Sequence, residues 1–154
     1  MTTGIGKSSI VAKRLAVSLS SVGVPSHFVH GTEWAHGDLG QVRQDDVVIA
    51  LSHSGHTAEL VGLFGYLKNN HSTVHRVAMV GTSEGAPLAE GAHQVLLGPV
   101  DPLLEPLGKV PTASIVVQEA IANGLVRQVV HDTSLTLPGF TFNHPGGSIG
   151  SASA

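Results

Sequence analysis

The sequence predicts an α/β protein, a three-layer doubly wound fold in which helices cover both faces of a parallel sheet. Two observations support this class. Apolar runs of strand length alternate along the chain with longer stretches of helical periodicity. The runs are continuously apolar, which is typical of strands that are buried on both faces. A length of 154 residues fits one domain with a substantial core.

The first predicted helix is marked by apolar residues three and four positions apart, namely Val11, Leu15, Leu19 and Val22. Gly23 and Pro25 follow, and both residue types are common just beyond a helix end. A short strand at residues 26–30 comes next.

A βαβ unit is predicted over residues 46 to 81. Residues 46–51 and 76–81 are the apolar runs that we expect to form its two parallel strands. Between them, apolar residues recur at helical spacing, so residues 57 to 69 should form an amphipathic helix. A strand at 94–98 and a long helix from about Pro111 to His131 complete the alternation, and proline suits a first helical turn.

The glycine loop at residues 4–8 should follow a strand, yet only three residues precede it. We therefore expect the first strand to be largely missing and the chain to be truncated at its N-terminus. The loop matches neither a P-loop, which needs glycine where Met1 stands, nor a dinucleotide fingerprint, whose third glycine would fall at Ser9. Lys7 at this helix start could reach an anion or stabilise an oxyanion, or it could simply be solvated there.

The composition argues against several classes of partner. The net charge is −3, with 12% charged residues and only four Phe, one Tyr and one Trp, so nucleic acid is not an expected partner. No apolar run is long enough for a membrane span, and the N-terminus lacks a signal-peptide pattern. The absence of cysteine fits a cytoplasmic protein. The ten histidines lack a zinc motif, so we expect no metal site.

The segment 49–60 is the most informative stretch, because an apolar run breaks into hydroxyls and glycine and then continues as a helix. Ser52, Ser54 and Thr57, with Gly55 among them, could bind an anion together with the free amides of a helix N-terminus. One hydroxyl would suffice for ordinary N-capping, so three favour a phosphate site. Glu59 falls in the first turn, where the helix dipole alone would favour a carboxylate.

Several motifs occur together in an order that resembles the SIS (sugar isomerase) domain. These are Thr3-Gly-Ile-Gly-Lys-Ser8, Phe28-Val-His30 with Glu33, His36-Gly-Asp-Leu-Gly40, Ser52-His-Ser-Gly-His-Thr57, Pro106-Leu-Gly108 with Pro111-Thr112, and His144-Pro-Gly-Gly147. Within that superfamily the sequence looks most similar to the isomerase domain of D-arabinose 5-phosphate isomerases. The resemblance implies one flavodoxin-like SIS domain over residues 1–154, with a Gly/Ser-rich tail at 143–154.

The resemblance also implies an activity, the interconversion of D-arabinose 5-phosphate and D-ribulose 5-phosphate through an enediol, with no cofactor. By position, Lys7, Glu59 and His144 would be the catalytic residues. The phosphate and the sugar would be held by Ser52, Ser54, Gly55, Thr57, His36 and Thr112. The family commonly forms dimers or tetramers, and we expect a homodimer or homotetramer in which His144 approaches a neighbouring subunit's site.

The sequence departs from the family pattern at one expected carboxylate. Family members usually carry glutamate three residues before the proline of Pro-Leu-Gly, and here Leu103 stands at that position. Asp101 or Glu105 could substitute only if the loop shifts. The regulatory CBS domains of the family are absent from this sequence. A non-catalytic sugar-phosphate-binding or regulatory SIS domain is therefore the alternative function.

Overall fold

Five parallel strands form a single sheet in the computed structural model, which describes residues 1–151. The strands are β1 (Thr2–Gly4), β2 (Phe28–His30), β3 (Val47–Leu51), β4 (His75–Val80) and β5 (Gln94–Leu97), in the spatial order β2-β1-β3-β4-β5. The helices are α1 (Lys7–Ser21), α2 (Ala58–Asn70), α3 (Pro87–Glu90), α4 (Ala113–Asp132), α5 (Leu137–Phe142) and α6 (Gly147–Ser151). The doubly wound α/β class predicted from the sequence is confirmed.

The elements predicted from periodicity lie within about two residues of their observed bounds. The expectation that the first strand is largely missing is wrong. β1 is present and pairs with β2 on one side and with β3 on the other. Its two threonines are fully buried. The Thr2 hydroxyl donates to the Ala12 carbonyl at 2.7 Å, and the Trp34 indole donates to the Thr3 hydroxyl at 2.8 Å. A polar strand can be buried here because these hydrogen bonds satisfy its hydroxyls.

Two apolar clusters pack against the sheet and form the outer layers. One contains Trp34 and the buried residues of α2, including Leu60 and Phe64. The other contains Leu15 of α1, Met79 of β4 and Ala122 of α4. The periodic apolar residues of both long N-terminal helices therefore face the sheet, as their spacing predicts.

The strand order reverses direction between β1 and β3. The chain runs from β1 to β2 on one side and from β3 through β4 to β5 on the other. At such a switch point the loops after the two central strands diverge, and ligands bind in the crevice between them. Gly4 and Leu51 are register partners, so the loops that follow them leave the sheet at the same level.

The C-terminal segment expected to be a Gly/Ser-rich tail contains a short helix, α6, and the last three tail residues lie outside the described part of the chain. Within residues 1–151, no helix is both long and apolar enough to span a membrane.

Candidate active site

The crevice at the switch point brings together the two loops that the sequence singled out. The glycine loop follows β1 and leads into α1, which begins at Lys7. The hydroxyl loop, residues 52–57, follows β3 and leads into α2, which begins at Ala58. Because both helices start at the carboxyl edge of the sheet, their N-termini direct backbone N–H groups toward the same side of the molecule.

The hydroxyl loop does not cap α2 in the ordinary way. Thr57 occupies the N-cap position, but its side chain makes no capping hydrogen bond. Its hydroxyl instead shares a hydrogen bond of 2.8 Å with the hydroxyl of buried Ser52, which also accepts a bond from the Gly55 amide at 3.2 Å. Ser54 is exposed and accepts a bond from the His56 amide at 3.2 Å. This geometry leaves the helix N-terminus uncapped by Thr57, as an anion site requires.

Gly55 fixes the shape of the hydroxyl loop. Its φ is +69°, in the left-handed region that favours glycine, and a Cβ added there would lie 2.7 Å from the Cβ of Ala86. Its carbonyl accepts a hydrogen bond of 3.1 Å from the Leu88 amide. The loop is therefore held against the segment that begins α3, and this close approach is possible only without a side chain at position 55.

Lys7 lines a cavity of about 260 Å³ between the start of α1 and the segment that precedes α4. His53 and Ser8 also line it, together with Glu105, Lys109 and Ser114 from the far wall. Two lysines and a histidine near the hydroxyl loop provide positive charge and proton donors for a phosphorylated ligand.

Glu105 is a buried carboxylate on the far wall of this cavity, and it caps α4. Its oxygens accept hydrogen bonds from the Thr112 amide at 2.6 Å, the Thr112 hydroxyl at 2.8 Å and the Ser114 amide at 2.8 Å. Hydrogen bonds from Ser114, its side chain first, and from Thr112 lower the pKa of the Glu105 carboxyl to about 2, although burial opposes this shift. Such a carboxylate is a weak base, because it stays ionised and its lone pairs are already used.

The second carboxylate near position 103 belongs to Asp101, and it also already accepts a hydrogen bond. Asp101 accepts a hydrogen bond from the Leu103 amide at 2.9 Å and thereby caps the 3₁₀ turn Pro102–Leu104. The side chain of Leu103 is exposed. In this conformation neither Asp101 nor Glu105 takes the place of the glutamate that the family pattern expects.

Glu59 lies on the other side of the crevice. It lines a separate, mainly apolar cavity of about 310 Å³, whose walls include Thr32, Trp34, Leu63 and Tyr66. These residues belong to the face of the sheet that α2 covers, whereas Lys7 opens toward the face covered by α1 and α4. The structure therefore places Glu59 and Lys7 in different cavities of one chain.

His144 lines neither of these cavities. Its Nδ1 lies 2.8 Å from the Phe140 carbonyl and its ring packs on the Phe140 ring. The neighbouring Asn143 donates to the carbonyl of Ser21, the last residue of α1, whereas Lys7 is the first. A helix of 15 residues is about 22 Å long, so His144 lies near the opposite end of α1 from Lys7.

The remaining two predicted binding residues have different surroundings. His36 is exposed at the end of the 3₁₀ turn Glu33–His36, and Gly37 follows it with a left-handed φ of 117°. Thr112 is the N-cap of α4, and its hydroxyl is hydrogen-bonded to Glu105, which lines the cavity of Lys7. The predicted site residues thus divide into the hydroxyl loop, Lys7 and Glu59 in separate cavities, Thr112 beside the Lys7 cavity, the exposed His36, and His144 near the other end of α1.

Sequence reasoning gave His53 no role in binding or catalysis and did not assign the capping role of Glu105. His53 stands inside the hydroxyl motif, immediately after Ser52 at the end of β3, and that position was the available signal. The role of Glu105 depends on how the segment between β5 and α4 folds back on the helix, and no local pattern predicts this.

The chain belongs to the SIS domain family, whose pattern matches residues 1–125. Among its relatives are two proteins named arabinose 5-phosphate isomerase KdsD. The one from Pseudomonas aeruginosa is 40% identical over 150 residues, which cover 97% of this chain and 45% of the relative. The one from Escherichia coli K12 is 37% identical over 147 residues, which cover 96% of this chain and 44% of the relative. The chain therefore spans less than half the length of these relatives.

Solved structures support the same fold. A protein of E. coli CFT073 in complex with arabinose 5-phosphate superposes with a TM-score of 0.85 at 35% identity, covering 94% of this chain and 75% of that one. A Bacteroides fragilis protein, described as a putative phosphosugar isomerase involved in capsule formation, gives a TM-score of 0.87 at 32% identity. The match covers 95% of this chain and 76% of that one. The resemblance to the SIS domain inferred from the motifs is confirmed.

Proposed function

We propose that this chain is the isomerase domain of a sugar-phosphate isomerase that interconverts D-arabinose 5-phosphate and D-ribulose 5-phosphate. The observation that carries the proposal is the uncapped N-terminus of α2, surrounded by the hydroxyls of residues 52–57 and placed beside the cavity of Lys7. The identity of 37 to 40% to arabinose 5-phosphate isomerases supports the choice of substrate. The expected cytoplasmic location stays a prediction.

The phosphate would bind at α2 and not at α4. Both helices could in principle offer an anion site, because both begin on the same side of the sheet. At α4, however, the Glu105 carboxylate already accepts the amides of Thr112 and Ser114. A dianionic phosphate placed there would have to displace this carboxylate, whereas at α2 it would meet Ser52, Ser54, Thr57 and the free helix amides.

The reaction would proceed through an enediol. A base removes the proton from C2 of the aldose, the carbonyl oxygen at C1 is protonated, and the proton then returns to C1 to give the ketose. Lys7 would stabilise the negative charge that develops on the sugar oxygens, since an ammonium in this cavity can donate to them. Glu59 and His144 stay the predicted members of the acid–base set, and no cofactor is needed for this chemistry.

A homo-oligomer would explain the position of His144. Within one chain this side chain lies about the length of α1 from Lys7. The exposed side chains of the C-terminal segment include Leu137, Phe142 and Ile149, and such apolar residues suit contact with a second copy. We propose that His144 completes the site of a neighbouring subunit in a homodimer or homotetramer.

The second candidate function is a non-catalytic sugar-phosphate-binding or regulatory domain. The observation in its favour is the lost carboxylate, because Leu103 is exposed while Asp101 and Glu105 both serve as caps. This domain would bind the same phosphate at α2 but would lack the groups needed to move a proton.

A direct assay separates these two functions. The purified chain is incubated with ribulose 5-phosphate, formation of arabinose 5-phosphate is followed, and binding of arabinose 5-phosphate is measured by calorimetry. We expect both binding and turnover, and both should weaken when Ser54 and Thr57 are changed to alanine. Binding without turnover would support the non-catalytic domain. Failure to bind either sugar phosphate would contradict both functions.

A further inference from the structure

The cavity that holds Lys7 also contains a histidine to which the family resemblance gives no role. His53 follows Ser52 directly, and its position is fixed by β4: its carbonyl accepts a hydrogen bond of 2.8 Å from the Gly81 amide. Its ring lies against Gly81, where an added Cβ would fall 2.4 Å from Cε1 and 2.7 Å from Nδ1. Nε2 is thus the ring nitrogen farther from the Gly81 backbone.

The carboxylates near His53 are unavailable for proton transfer. Glu105 accepts three hydrogen bonds from the start of α4, and its pKa is lowered to about 2. Asp101 caps a 3₁₀ turn. The other titratable groups that line this cavity are Lys7 and Lys109, whose ammonium groups donate hydrogen bonds and accept none, so they suit the sugar oxygens better than a carbon-bound proton.

We propose that His53 is a catalytic residue, which carries the proton between C2 and C1 of the bound sugar phosphate. This proposal rests on the proposed isomerase function. It assigns to an imidazole the task left open by leucine at position 103. An imidazole has one ring nitrogen that can accept a proton and, once protonated, can return it, as the transfer of one proton from C2 to C1 requires.

The step is balanced without a co-reactant. Nε2 of neutral His53 takes the proton from C2, the C2–H electron pair becomes the C1–C2 double bond, and the carbonyl electron pair moves to O1. O1 takes a proton from the Lys7 ammonium, which gives the enediol. In the second half O2 returns a proton to Lys7, the double-bond electrons take the proton of the His53 imidazolium at C1, and the ketose is formed with both side chains restored.

The test compares His53→Asn and His53→Gln with a matched control, His27→Asn, whose histidine is exposed and outside both cavities. Turnover of ribulose 5-phosphate, its pH profile, and exchange of the sugar's C–H proton in D₂O are measured. Calorimetry with arabinose 5-phosphate reports binding. Thermal unfolding confirms that each variant is folded, and the two His53 variants guard against misfolding of either one.

We expect the His53 variants to lose about 100-fold or more in kcat and in proton exchange, while arabinose 5-phosphate binds within about threefold of wild type. The limb of the pH profile that reports the free base should disappear, which a purely structural role would not cause. Turnover within about threefold of wild type, or an unchanged pH profile, overturns the role of His53 alone. A wild-type chain that binds the sugar phosphate without turnover or exchange overturns this role together with the isomerase function.

Discussion

Replacement of Gly55 by alanine tests whether the hydroxyl loop has the shape described above. Two effects should lower the free energy of unfolding. The left-handed φ of +69° costs an alanine about 1–2 kcal/mol, and the clash of the new Cβ with Ala86 at 2.7 Å adds about 1–3 kcal/mol of overpacking. The smaller conformational entropy of alanine in the unfolded chain offsets about 0.4–1 kcal/mol of this destabilisation.

The net destabilisation of Gly55→Ala should therefore be about 1–5 kcal/mol, which corresponds to a fall in Tm of roughly 2–20 °C for a chain of this size. Two glycines serve as matched controls. Gly85 also has a positive φ, +61°, but no atom lies within 4 Å of an added Cβ, so Gly85→Ala should show the strain alone. Gly65 lies in α2 with open space around it, and Gly65→Ala should stabilise the helix by about 0.5–1 kcal/mol.

The assay is denaturant unfolding of the three variants together with calorimetric titration of arabinose 5-phosphate. The expected order of stability is Gly65→Ala, then Gly85→Ala, then Gly55→Ala, and the Gly55 variant alone should lose sugar-phosphate affinity. If Gly55→Ala were no less stable than Gly85→Ala, then Ala86 would not contact residue 55 as the structure shows. The hydroxyl loop would then not be held in shape by its contact with Ala86.

Three further predictions concern the phosphate, the α4 cap and the oligomer. Ser54→Ala combined with Thr57→Ala should weaken sugar-phosphate binding by about 1–3 kcal/mol in calorimetry, and an unchanged affinity would remove the phosphate assignment. Because the folded pKa of Glu105 is about 2, below its ordinary value of 4.5, its ionised form stabilises the fold above pH 4.5, and this stabilisation is lost as the pH falls toward 2. The Tm of wild type should therefore fall more steeply over that range than the Tm of Glu105→Gln, and parallel curves would contradict the cap. His144→Ala and Glu59→Gln subunits should both be strongly impaired in the direction that starts from arabinose 5-phosphate, and mixing them should restore part of that activity, whereas no recovery in mixed oligomers verified by sedimentation would argue against a shared site.

The fold was predictable where apolar spacing carried the information. The helices α1, α2 and α4 and the strands β3 and β4 show continuous or periodic apolar residues, and their positions followed from the sequence alone, whereas the short helices α3, α5 and α6 were not predicted. The position of β1 did not follow from the sequence, because Thr2, Thr3 and Gly4 have no apolar side chain to indicate a buried strand. Its burial depends on partners at positions 12 and 34, which only the folded chain brings close.

The candidate site was predictable to the extent that it is local. The hydroxyl loop lies within six consecutive residues, and Thr57 shares a hydrogen bond with Ser52 in place of a capping bond to α2. That these hydroxyls hold a phosphate stays a prediction. The distance of His144 from Lys7 within one chain, and the placement of Glu59 and Lys7 in different cavities, follow from topology. A motif can identify such residues, but it cannot state whether they meet in one cavity.

This separation bears on how the chemistry would be divided among the residues. Lys7 and His53 line the same cavity, so one chain could supply both the donor to the sugar oxygens and the carrier of the carbon-bound proton. His144 would then be needed at a different point, and opening of the sugar ring is the step that a residue from a neighbouring subunit could assist. On this division, His53→Asn should abolish proton exchange even with the open-chain sugar. His144→Ala should retain exchange with ribulose 5-phosphate, which cannot close a stable ring because its C5 oxygen carries the phosphate, and should slow the reaction mainly in the direction that starts from cyclic arabinose 5-phosphate.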